Sequence, residues 1–127
     1  MDSLGHVNNI IYFRYFETAR IAYFDRIGYW EEMEKSGAGP ILAETRCRFR
    51  APLRHPARIS IGARVTTIED DRFVMQYAVA ASQCLAATGD GLVVSYNYRQ
   101  SAKTTLPPNI VAAIEKLQDT DNTDGDA

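Results

Sequence analysis

The sequence predicts an α+β domain in which one long helix precedes a meander of antiparallel strands. Two rhythms carry this reading. From about Asn9 to Ile27 apolar residues recur every three or four positions, the spacing of one helix face. From Ile41 onward apolar and polar residues alternate, as in a strand with one buried side. The 127 residues suit one compact domain, which we place at 1–118, because a second would have too little chain.

The helix comes first. Tyr12, Phe16, Ala19, Tyr23 and Ile27 share a face, widened by Ile10, Ile11, Phe13, Tyr15, Ala22 and Phe24. Only a strip around Arg14, Glu17, Thr18 and Asp25 is plainly polar. A helix this apolar is expected to be wrapped by a sheet. Asn8 or Asn9 suits its N-cap, and Gly28 suits a left-handed C-terminal residue. "YWEEMEKSG" reads as a short helix or turn ending near 37–40. "ILAETRCRFR" then alternates as a strand, and the two prolines of "APLRHP" make it a loop or edge. "ARISIGARVTTIE" sets Ile59, Ile61, Ala63 and Val65 on one face. Asp70 and Asp71 are a hairpin candidate, followed by the strand "RFVMQYAVAAS". "CLAATGDGLVVSYNYRQ" reads as a long last strand in which Gly89 and Gly91 allow a bulge or bend. "LPPNIVAAIEKLQ" opens a short helix with Ile110, Ala113, Ile114 and Leu117 as its buried face.

Composition narrows the function. The net charge is −2, and four aspartates fall in the closing "DTDNTDGDA", residues 119–127. That segment reads as a disordered acidic tail, and the body without it is slightly basic. Nothing in this balance suggests a nucleic-acid surface. No apolar run approaches the roughly 20 residues that span a bilayer, and the first residues lack a signal peptide's apolar stretch. Cys47 and Cys84 have neither a disulfide framework nor a metal-ligand spacing. A cytoplasmic protein with reduced thiols, both packed inside, is expected.

One segment carries more. "DSLGHVNNIIYFRYFETAR" resembles the opening of the hotdog-fold acyl-CoA thioesterases of the 4-hydroxybenzoyl-CoA thioesterase type. Their signature is an Asp, two variable residues, a Gly, often His-Val-Asn-Asn, then an aromatic helix with a Glu-x-x-Arg step. Here these are Asp2, Gly5, His6, Val7, Asn8, Asn9, Tyr12, Glu17 and Arg20. "FRAPLRHPARISIGARV" and "ATGDGLVVSYNYRQSAKTTLPP" look like the family's later strands, in the right order. The resemblance implies a hotdog fold, an antiparallel sheet curled around one long helix. It also implies an acyl-CoA thioester hydrolase with no cofactor or metal, no nucleic-acid or membrane partner, and active sites at the interfaces of a homodimer or homotetramer. Two departures stand out. Family members carry a strand before the Asp, whereas this chain begins inside the motif, so the first strand is expected to be lacking or the start to be set late. The Asp common late in the last strand is Asn97 here.

The chemistry explains the motif. A thioester is attacked at its carbonyl carbon, and charge builds on the oxygen. Asp2 can attack directly or act as a base toward water. The first amides of a helix lack partners within it, and its dipole favours negative charge there. By position in the family motif, the Asn9 amide would bind the oxyanion. Gly5 lets the thioester approach without a Cβ in the way. His6 could orient Asp2, position a water or protonate the thiolate. The plant acyl carrier protein thioesterases, which look related at this motif, use an Asp and a His at this spacing.

The remaining expectations are plainer. Asn8 reads as the N-cap and a contact near the substrate. Tyr12 and Phe13 are placed to line an acyl pocket. Arg54, with His55, Arg99 and Lys103, could meet the phosphates of CoA, although solvated surface is the ordinary role of such residues. Glu17 and Arg20 have ion-pair spacing. Two rival functions stand beside hydrolysis. One is a non-catalytic hotdog module that binds acyl-CoA. The other is a hotdog hydratase, whose opening motif and strand order look different.

Overall fold

Helix α1 (Asn9–Arg26) opens the computed structural model, which describes residues 9–51, 58–81 and 84–125. It ends where the sequence asks it to. Gly28 has φ 71° and ψ 29°, a left-handed conformation that lets the chain turn at once into α2 (Tyr29–Ser36). Gly37, at φ 86°, closes α2 in the same way, its amide donating to the Met33 carbonyl at 2.8 Å. A residue with a Cβ is disfavoured at such angles.

The sheet follows. Strands β1 (Ala38–Phe49), β2 (Ile59–Ile68), β3 (Arg72–Ala81) and β4 (Cys84–Asn97) are antiparallel and ordered β1-β4-β3-β2. A two-residue β5 (Ala102–Lys103) pairs with the end of β4. The β2–β3 hairpin turns at Asp70 and Asp71, as expected, and the Glu69 amide donates to the Arg72 carbonyl. β1 starts earlier than the alternation suggested and includes Pro40. The last helix, α3 (Pro108–Gly125), buries Ile110, Ile114 and Leu117 and carries its backbone helix into the acidic stretch.

One face of the sheet makes the core. Phe73, Met75, Tyr77 and Val79 alternate inward along β3, and all are buried. Phe16 stacks on Tyr77 with ring centroids 4.8 Å apart, and Phe24 meets Phe73 edge-on at 6.3 Å. Those two contacts lay α1 antiparallel to β3, across the inner face of the sheet. The predicted period-two face of β2 is also present, with Ile59, Ile61, Ala63 and Val65 turned toward the core.

Several details differ from the sequence reading. Gly89 and Gly91 create no register shift; the shifts fall at Leu42/Glu44, Val65/Thr67 and Val79/Ala80. The two glycines provide closeness instead. A Cβ on Gly89 would collide with the Phe16 ring and the Arg46 carbonyl, and one on Gly91 would lie 2.6 Å from the Tyr77 hydroxyl. Cys47 is half-buried against the core, but Cys84 is exposed, because it starts β4 beyond the reach of α1. Ile10, Phe13 and Ile21 of α1 face outward although they are apolar. The sheet covers only one side of the helix.

Candidate active site

Asp2, Gly5, His6 and Asn8 lie outside the described residues, as do Arg54 and His55. The site is therefore described from the helix onward. Asn9 opens α1, and the first turn holds no acidic side chain. The positive end of the helix dipole is not neutralised by a carboxylate within that turn.

The wall beside the helix start is aromatic. Tyr12 is buried; its ring lies 5.1 Å from that of Phe49 at the end of β1 and 6.2 Å from that of Tyr15. Phe13 is partly exposed and meets Phe16 edge-on at 6.1 Å. Phe13, Phe16 and Tyr77 form a run of rings from the first turn into the core. Tyr12 and Phe13 thus stand one turn from the helix start, on its inner and outer sides.

Arg20 completes that run in an unexpected way. Among the described residues it makes no ion pair with Glu17, despite the spacing. Its Nη1 donates to the Tyr77 hydroxyl at 3.1 Å, with the guanidinium carbon 5.9 Å from the ring centre. Burial raises the Tyr77 pKa, and the bond from Arg20 opposes the rise. Glu17 and Arg20 instead border a cavity of about 230 Å³ with Ile21, Phe24, Trp30 and Leu42, between α1 and β1.

Other candidates have structural roles. Arg99 donates to the Glu34 and Lys35 carbonyls at the end of α2. This satisfies acceptors that a helix C-terminus leaves open. Asn97 holds the turn after β4. Its Oδ1 accepts from the Arg99 and Gln100 amides at 2.9 and 3.0 Å, and its Nδ2 donates to the Ser36 carbonyl at 3.3 Å. An aspartate could not donate to that carbonyl, which gives Asn97 a reason of its own. Lys103 lies exposed in β5. Among the described residues no cluster of His, Cys, Asp and Glu could hold a metal ion, and no helix is long and apolar enough to cross a membrane.

A second cavity, of about 820 Å³, escaped the sequence reading. It lies on the outer face of the sheet, away from α1, and four arginines border it. The signal was the alternation of "RCRFR". It carries no weight until the strand order brings Arg64 across from it.

Comparison with known proteins agrees with this geometry. The family model of the thioesterase-like superfamily matches residues 1–114. A thioesterase from Thermus thermophilus, solved in complex with coenzyme A and zinc, is 30% identical; the match covers 92% of this chain and 85% of that one, with a TM-score of 0.78. A protein from Pseudomonas aeruginosa is 28% identical over 91% of this chain and 82% of its own, again with a TM-score of 0.78. Among curated relatives, the L-carnitine dehydrogenase/betainyl-CoA thioesterase of Agrobacterium fabrum is 22% identical over 92% of this chain. Protein THEM6 of Xenopus laevis is 31% identical over 64% of it. The chain spans only 24% and 39% of the lengths of these two curated relatives. With its sheet laid over one long helix and the family pattern running through 114 of its residues, the chain has the hotdog fold and belongs to the thioesterase-like superfamily.

Proposed function

We propose that this chain hydrolyses an acyl-CoA thioester to the free acid and the CoA thiol. The observation that carries the proposal is the start of α1 at Asn9, directly after the Asp2–Asn8 motif, with no carboxylate in its first turn. A helix start of that kind favours an oxyanion. In this reading the Asn9 amide receives the developing charge. Asp2 attacks the carbonyl carbon or draws a proton from water, and His6 orients Asp2 or protonates the leaving sulfur. Gly5 and Asn8 shape the approach, Tyr12 and Phe13 line the acyl group, and Arg54 meets the phosphates of CoA. The coenzyme A bound to the Thermus relative and the betainyl-CoA thioesterase named among the curated relatives support the substrate class. Free cysteines fit a cytoplasmic setting.

The same reading includes a homodimer or homotetramer with active sites at the interfaces. Two features support it. Among the described residues β1 pairs only with β4, leaving its other edge open. Ile41, Leu42 and Phe49 on β1, with Ile10, Phe13 and Ile21 on α1, are exposed. An open edge with apolar neighbours is a pairing surface.

The test is thiol release from a panel of short, long and aromatic acyl-CoAs. Turnover is expected, and Asp2→Asn should lower kcat at least about a hundredfold. Binding of acyl-CoA without turnover of any panel member would overturn hydrolysis and leave the non-catalytic module.

A further inference from the structure

The outer cavity is built from two cross-strand rows. Tyr77 and Gly89 point toward α1, so their strand neighbours point away from it. In the first row Arg64, Gln76, Asp90 and Arg46 lie side by side across all four strands. Arg64 donates twice to Gln76 Oε1, at 3.0 and 2.8 Å, and Arg46 Nε meets Asp90 Oδ1 at 3.1 Å. The next row is Gly62, Ala78, Thr88 and Arg48. Its first three side chains are small, which makes a shallow floor. Arg50 stands beyond it, past the end of β1.

Four arginines therefore face one aspartate. Arg46 and Arg48 occupy alternate positions of β1, about 7 Å apart, and Arg50 follows just past the end of the strand. Like charges at that spacing repel each other. Among the described residues the side chains of Arg48 and Arg50 have neither ion pair nor hydrogen bond. These guanidiniums are exposed and solvated, and a bound anion would relieve their mutual repulsion. The volume of about 820 Å³ is that of a small-molecule site. No exposed aromatic ring lines it, so it lacks the stacking platforms used by nucleic-acid strands.

We propose that this groove binds a small organic bisphosphate, one phosphate on Arg48 and Arg50 and the other toward Arg46 and Arg64. The chemistry is shared by the nucleotide head of CoA, which carries a 3′-phosphate and a 5′-diphosphate, and by a free nucleotide. A guanidinium fork suits phosphate oxygens. Binding here does not depend on hydrolysis, so failure of the thioesterase reading would leave it standing.

Calorimetry with adenosine 3′,5′-bisphosphate tests it. The chain should bind this probe, and Arg48→Ala with Arg50→Ala should weaken binding at least tenfold. Arg26→Ala, at the far end of α1, should leave it unchanged. The double variant should keep the parental melting temperature, since neither side chain holds another. Kinetics then separates the two sources. A higher KM for acyl-CoA, with acyl-N-acetylcysteamine unaffected, assigns the groove to the substrate's head. Lost probe binding with KM unchanged assigns it to a free nucleotide. No binding by the parent chain overturns the proposal, and so does equal binding by the double variant or equal weakening by Arg26→Ala.

Discussion

Tyr29 is wholly buried, yet its hydroxyl makes no hydrogen bond within the described structure. The nearby Ser95 hydroxyl donates to the Thr105 carbonyl at 3.1 Å. Burial pushes the Tyr29 pKa up to about 12, with the Ser95 side chain opposing part of the rise. An unfolded tyrosine ionises near 10. Between pH 10 and 12 the unfolded chain therefore binds fewer protons than the folded one, and stability falls as pH rises. The expected loss is about 2–3 kcal/mol, complete above the folded pKa and absent below pH 10. Tyr29→Phe should remove most of that alkaline loss and leave stability at neutral pH equal or up to about 1 kcal/mol higher, since it deletes an unpaired buried group. Urea titrations at pH 7 and pH 11 decide it; an unchanged alkaline fall would sink the argument. Glu32 works the other way. It is buried, and hydrogen bonds from Ser36 and Asn109 lower its pKa. Its contribution is present above the ordinary carboxylate pKa and is lost as pH falls through the lowered value. Glu32→Gln should therefore flatten the acid side of the stability profile.

At the scale of elements, the sequence was readable wherever one face alone decides the pattern. β2 and β3 alternate because one side meets α1 and the other does not. Gly28 and Gly37 end helices because a left-handed residue is needed there. α1 was half-readable. Its inner face was found, but Ile10, Phe13 and Ala22, which are exposed, looked like more of the same. Apolar character alone cannot separate a side chain covered by its own sheet from one left outside it. The bulge allowed for at the glycines of β4 is absent for a related reason. Gly89 is set by a ring 73 positions earlier in the chain, at Phe16, and no local pattern reports that. Phe16 is fully buried at this crossing. Phe16→Ala should cost about 3–5 kcal/mol in urea denaturation, and a cost under 1 kcal/mol would mean that α1 is not seated by that ring.

For the whole molecule, the motif was legible through its likeness to a family, whereas the arginine groove was not. The groove draws on all four long strands, and only their order brings Arg64 into line with Arg46. Among the described residues the open edge of β1 likewise becomes visible once β4 is seen to cover the other side. Leu42→Lys should hinder association of two copies there, because it buries a charge against apolar neighbours. Sedimentation should show a shift toward monomer, with thiol release falling in parallel if the active sites are interfacial. A variant that remains associated and fully active would place the interface elsewhere.

Gly89 sets the height at which the whole of α1 rides. The Phe16 ring rests where a methyl group would otherwise stand, and the first turn of α1 lies one turn ahead of that ring. A larger residue at position 89 acts as a shim, tilting the helix and lifting Asn9 away from any thioester it receives. Gly89→Ala should therefore lower kcat and the melting temperature together, because the added methyl meets the Arg46 carbonyl as well as the ring. Evolution or design that wished to retune this site could do so from inside the sheet, without touching the Asp2–Asn9 motif.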